Sequence, residues 1–143
     1  MRDAKRSVFV VWQEANSVGN AYLDAQHRQI LELVNAMYER VRGTGDVNMM
    51  ELVGRLSDYT RRHLRDEERY LQQFGFPALV GHQAVHRGLR ERTEGIRRGV
   101  EQNVADVDDS VLQFLKQWWL SHINQTDRQY AVHLGTRGRS WKP

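Results

Sequence analysis

The sequence predicts an all-α protein, an up-down-up-down antiparallel four-helix bundle with an N-terminal arm. Apolar residues recur at helical spacing in four long segments, breaks marked by glycine or proline separate most of them, and only two prolines occur in 143 residues. That length suits one domain, residues 1–143, with a sizeable core. The 40% hydrophobic and 27% charged residues fit a helical protein with a polar surface.

The elements follow in order. Residues 1–23 lack a helical period and form the arm, with Val8, Val10 and Trp12 expected on the outside of the bundle and Val18-Gly19 as a turn. Helix one is predicted over 24–42, capped by Asp24, with His27, Ile30, Leu31, Val34, Tyr38 and Val41 on one face. After the loop signal at Gly43-Thr44-Gly45-Asp46, helix two is predicted over 48–74, with Leu52, Leu56, Tyr59, His63, Glu67 and Phe74 inward. Gly75 and Pro77 end one helix and begin the next. Helix three is predicted over 77–101, with Leu79, His82, His86, Leu89, Thr93, Ile96 and Val100 inward. Helix four, 108–134, starts at an Asp108 or Asp109 cap, carries Leu112, Leu115, Trp118, Trp119, His122, Ile123, Asp127 and Tyr130, and closes at Gly135. The tail, 135–143, is small, polar and basic, and is expected to fray.

Composition excludes several chemistries. With no cysteine, disulfides, thiolate metal sites, iron–sulfur clusters and cysteine nucleophiles are ruled out. The net charge of +3 comes from 21 basic residues interspersed with 18 acidic ones, a mixed solvated surface rather than the one-sided stripe a nucleic acid needs. The apolar run Val8–Trp12 is shorter than a signal-peptide core, and nothing approaches a membrane span, so a cytoplasmic location without membrane attachment is expected. A monomer is expected as well.

The histidines carry the chemistry. Helix residues four apart stand one turn above each other, so His63 and Glu67 share a face, as do His82 and His86. All four replace leucines of a plain bundle. His27 on helix one and His122 and Asp127 on helix four complete a set of five histidines and two carboxylates. A single inward histidine is more often a satisfied core residue than a ligand. Seven inward polar groups are different, because each unpaired buried group costs roughly 1–3 kcal/mol and an uncompensated charge costs more. The set predicts a metal site, whereas His133, outside the pattern, is expected at the surface. Seven donors exceed the four of a tetrahedral zinc site and suit two six-coordinate ions that share the carboxylates. Imidazole-rich, thiolate-free donors suit iron, and by ligand type alone copper, zinc and manganese stay open.

Asp24-x-Gln26-His27, His63-x3-Glu67, His82-x3-His86 and His122-x4-Asp127, with Trp12, Val18-Gly19 and Gly75-Phe76-Pro77 in step, closely resemble the bacterial hemerythrins over about residues 12–130. The resemblance implies two iron ions in a non-haem di-iron centre with an oxo or hydroxo bridge, and O2 as its ligand. It implies that His82, His86 and His122 hold one iron and His27 and His63 the other, with Glu67 and Asp127 bridging them. O2 would take the open position on the two-histidine iron. His122 and Asp127 lie roughly 140° apart on an ideal helix, too wide to chelate one ion, so they are expected to reach different parts of the pair. Five neutral imidazoles against two carboxylates favour reversible binding over oxygenase chemistry.

Trp119 departs from the family's Trp-Leu-x-x-His, placing an indole where a leucine borders the oxygen pocket. Trp118 and Trp119, four and three residues before His122, are the candidate pocket residues; Trp119 either walls the pocket or turns outward into a helix interface. Glu68 is a candidate acceptor for a ligand imidazole N–H. The preferred reading is a non-enzymatic protein for oxygen storage, delivery or sensing. The alternative is a di-iron enzyme acting on peroxide or nitric oxide, for which Tyr59 and Tyr130 are the candidate proton donors. A third is an interaction module whose protein partner would meet Arg137, Arg139, Trp141 and Lys142.

Overall fold

The computed structural model describes residues 9–143; Val8, expected on the bundle surface, lies outside them. A 3-10 turn at Glu14–Asn16 leads into α1 (Ala21–Arg42), α2 (Met49–Gln73) and α3 (Leu79–Glu101). The fourth rod is α4 (Asp109–Ser121), a π-helical turn (His122–Thr126) and α5 (Asp127–Leu134) in unbroken succession. α1 packs on α2 and α4, and α2 packs on α3, which makes the antiparallel four-helix bundle. Among the described residues there is no strand, and no helix is long and apolar enough to cross a membrane.

Local chemistry sets the helix ends. Asn20, not Asp24, caps α1: its side-chain oxygen accepts the Leu23 N–H at 3.0 Å, and the helix starts at Ala21. Asp24 instead pins the arm, accepting from the Val18 N–H at 2.9 Å and the Ser17 hydroxyl at 2.5 Å. Asn48 and Asp108 cap α2 and α4 in the manner of Asn20. Gly43, at φ +84°, closes α1 in a left-handed conformation that a side chain would resist. α3 opens at Leu79 rather than at Pro77.

Both flanks of the bundle are tied down. Asn35 accepts from the backbone N–H groups of Phe9 and Val10 and donates to the Val10 carbonyl. Val10 is thereby drawn into the core, 2% exposed, rather than left on the outside. Trp12 is half-buried, with the Arg28 guanidinium 4.5 Å over its ring. The tail does not fray as expected. Asn20 Nδ2 donates to the carbonyls of Gly138 and Trp141, both at 2.8 Å, and the Trp141 ring packs on Tyr70.

Every rod repeats one vertical order. Apolar residues form a long core at one end and a shorter one at the other, with polar residues between: Leu23, His27, Ile30 on α1 and Leu56, His63, Glu67, Leu71 on α2. Phe76, His82, His86 and Leu89 run the same way on the third rod, and Trp119, His122, Asp127 and Tyr130 on the fourth. The polar layer is therefore sealed above and below by hydrocarbon and aromatic rings.

Candidate metal centre

The seven side chains singled out by spacing meet in that layer, none more than 4% exposed. Their donor atoms form two groups. Glu67, His82, His86, His122 and Asp127 make one; His27, His63, Glu67 and Asp127 make the other; within each group the donors lie within 4.8 Å of one another. The shared members are the two carboxylates, and each divides its oxygens between the groups. Glu67 Oε1 lies 2.9 Å from His82 Nε2 and 2.8 Å from His86 Nε2, while Oε2 lies 3.5 Å from His63 Nε2 and 3.6 Å from His27 Nε2. Asp127 Oδ1 lies 3.1 Å from both His82 and His122 Nε2, and Oδ2 lies 3.1 Å from His27 Nε2.

The expectation that His122 and Asp127 are too far apart to meet one ion is overturned by the π-helical turn. The Asp127 N–H donates to the His122 carbonyl, five residues back, so residues five apart stand above one another. His122 Nε2 and Asp127 Oδ1 thus join the same group.

A cation fits this donor set. The Nε2 atoms of His27, His63 and His122 and both oxygens of Asp127 are buried without an aligned hydrogen-bond partner. Such orphans cost stability unless something electron-poor sits among them. The electrostatics agree. Burial pulls the His27 and His82 imidazoles down, yet the facing Asp127 and Glu67 carboxylates outweigh it and hold them up at about 9 and about 10. Burial and the charge of His27 push His63 down to about 3. Burial opposes the charge on Glu67 and Asp127, but the surrounding imidazoles hold both carboxyls below their usual range. Without a metal the carboxylates favour protons on His27 and His82, which a metal would have to displace.

Partners behind the cluster fix the orientation of its side chains. A carboxylate can only accept, so Asp66 Oδ2 takes the Gln26 amide N–H at 2.9 Å, and the Gln26 Oε1 left over accepts from His63 Nδ1–H at 2.7 Å. The His63 Nε2 lone pair then faces the cluster. Tyr22 also donates to Asp66 Oδ2, at 2.7 Å, and burial together with that bond pushes its phenol up to about 12. Glu68 accepts from His86 Nδ1–H at 2.8 Å, with the Arg90 guanidinium 3.6 Å away. Tyr130 donates to Glu67 Oε2 at 2.8 Å, whereas Tyr59 lines a surface cavity of about 290 Å³ with Gln29, Leu33 and Arg62. The Gln26, Asp66 and Tyr22 chain was not foreseen from the sequence; Gln26 beside His27 in Asp24-x-Gln26-His27 is the signal that could have pointed to it.

The two indoles divide their work. Trp119 turns inward, fully buried, with its ring centroid 5.7 Å from His122 and 6.1 Å from His63. Trp118 is half-buried and stacks on His122 at 5.3 Å and 23°. His133 is exposed and lies edge-on to Phe76.

An antiparallel bundle whose central layer gathers histidines and carboxylates from all four rods defines a metal-binding helical domain. The family model of the "Hemerythrin HHE cation binding domain" matches residues 18–134, and the chain belongs to that family. Among similar proteins, the bacteriohemerythrin of Stenotrophomonas maltophilia is 28% identical over 122 residues, covering 85% of this chain and 79% of that protein. The bacteriohemerythrin of Clostridium acetobutylicum is 26% identical over 131 residues, covering 84% and 97% respectively. The crystal structure of a wild-type hemerythrin superposes with a TM-score of 0.79 at 23% identity, over 87% of this chain and 96% of that one, a likeness of fold.

Proposed function

We propose that the chain holds two iron ions in a non-haem di-iron centre and binds O2 reversibly there, for storage, delivery or sensing. The observation that carries this is the division of each carboxylate's oxygens between a three-histidine and a two-histidine group. His82, His86 and His122 would hold one ion and His27 and His63 the other, with Glu67 and Asp127 common to both. Iron held there would supply the electrons that O2 takes up on binding and returns on release. Five protein donors would serve the first ion and four the second, so the two-histidine side is the one with room for a small ligand.

The chain's own residues suit a carrier better than an enzyme acting on peroxide or nitric oxide. Leu64, Leu89, Trp119 and Ile123 exclude water from the layer. Among the described residues, the one hydroxyl bonded to a cluster carboxylate is Tyr130, and burial and the nearby Glu67 charge raise its pKa well above that of a free tyrosine. It steadies Glu67 and keeps its proton. We place this carrier in the cytoplasm as a monomer.

Metal analysis after expression in iron-replete medium should find two irons per chain. The visible spectrum of the reduced protein should change in air and return under argon. One zinc and no iron, or a spectrum that never returns, would remove the reading.

A further inference from the structure

We propose that residues 136–141 form a strap that positions the two-histidine half of the cluster, with Trp141 as its anchor. The proposal rests on the di-iron reading above. The strap lies beyond residue 134, where the match to the family model stops.

Its attachments are specific. The Trp141 ring centroid lies 5.1 Å from that of Tyr70 and edge-on to Tyr22 at 6.2 Å, and its Nε1–H donates to Gln73 Oε1 at 3.0 Å. Asn20, the residue that caps α1, holds the Gly138 and Trp141 carbonyls. Gly138 passes so close to Tyr70 that an added Cβ would run into the phenol, so only glycine lets the strap lie down there.

Two chains of contact lead inward from this anchor. Tyr22 donates to Asp66, which holds the Gln26 amide, which in turn holds His63 Nδ1–H. Tyr70 packs edge-on against Tyr130 at 5.7 Å, and Tyr130 donates to Glu67 Oε2. The first chain ends on His63 itself; the second ends on the Glu67 oxygen that faces His63, with the Tyr130 ring also 5.7 Å from that of His82. The three-histidine side has a different brace, Glu68 with Arg90 on His86, which the strap does not touch. Trp141 is therefore a positioning residue whose hydrogen-bonded chain ends on His63 and not on His86.

The test compares His63 with His86. In metal-free protein, Trp141→Ala should speed solvent exchange of the His63 Nδ1 proton, read by NMR, and leave that of His86 unchanged. Trp141→Phe, which keeps a ring on Tyr70, should restore most of the protection. In iron-loaded protein, Trp141→Ala should keep full iron content but release iron to a chelator faster, roughly two- to tenfold, below the roughly 10- to 100-fold typical when a ligand's own partner is lost. Tyr22→Phe should do the same, and the two changes together should give less than the sum of their separate effects, because one of the two chains from Trp141 runs through Tyr22 and Asp66. Equal loosening of both histidines, no change at His63, or full additivity would overturn the strap. If the unsubstituted protein binds no iron, the di-iron reading fails, and the exchange of His63 against His86 still decides the strap.

Discussion

The two halves of the cluster share their carboxylates but not their surroundings. The His27 and His63 half is fully enclosed, with Trp119 beside it and a buried amide, Gln26, behind His63. The His82, His86 and His122 half lies nearer the surface: Trp118, His122, Val85, Ser121 and Thr126 line a cavity of about 210 Å³, and Glu68, the brace of His86, is 22% exposed. The half with fewer donors is thus the drier one. Packed side chains close it off from solvent, while the half richer in histidine borders a surface cavity.

The largest effect should come from the groups that both halves share. Asp127→Ala removes a donor from each, and should lower iron content and thermal stability together, by about 3–5 kcal/mol, the scale of breaking a buried ion pair. His63→Ala should do so through one half only, and His133→Ala, at the surface, through neither. Metal analysis with scanning calorimetry checks all three; equal losses for Asp127→Ala and His133→Ala would mean that the layer is not a metal site.

Acid should come next. A metal must displace the protons that Asp127 and Glu67 hold on His82 and His27, at about 10 and about 9, so affinity should begin to fall as the pH drops through that range and should continue to fall into acid, with release complete below about pH 6. The half nearer the surface should empty first. Titration followed by absorption should show two steps, and a single concerted step would erase the difference between the halves.

The braces should then separate in size. Gln26→Leu leaves His63 Nδ1–H buried without an acceptor, whereas Glu68→Gln keeps an amide oxygen that can accept from His86 Nδ1–H. Competition with a chelator should show a loss for Gln26→Leu near the upper end of roughly 10- to 100-fold, and a smaller one for Glu68→Gln. The reverse order would show that exposure does not set the worth of a brace.

Helical regularity decided what could be read in advance. His63 with Glu67 and His82 with His86 are legible because a four-residue step means the same thing on any α-helix. The His122 to Asp127 step was visible too, but an ideal helix turns Asp127 away, and nothing in His122-Ile123-Asn124-Gln125-Thr126 announces a π turn. Gln26, Asp66 and Tyr22 come from two helices and read singly as ordinary polar residues; only tertiary packing makes them a chain. The last residues mislead in another way. Their composition is that of a frayed end, yet one indole and two backbone carbonyls suffice to hold them. Val10 is similar, drawn inward by a side-chain amide on α1 that periodicity cannot detect.

The smallest effect, one of rate alone, should distinguish the two indoles. Trp119 is buried beside His63 and edge-on to His122, so replacing it with leucine opens space on the enclosed half. Trp118 lies flat on His122 and lines the surface cavity of the other half, so Trp118→Leu widens a space that is already open. The indole of Trp119 has two opposed consequences: its bulk slows entry, and its dry apolar ring protects a bound ligand from water. The first predicts that Trp119→Leu speeds association of O2 and of small anions such as azide, and the second that it speeds autoxidation. Neither is expected of Trp118→Leu, and iron content should be unchanged in both variants. Stopped-flow mixing of the reduced proteins with O2, and of the oxidised proteins with azide, measures the rates. If Trp118→Leu accelerates entry as much as Trp119→Leu does, ligands approach through the three-histidine side, and the enclosed half owes its dryness to something other than this indole.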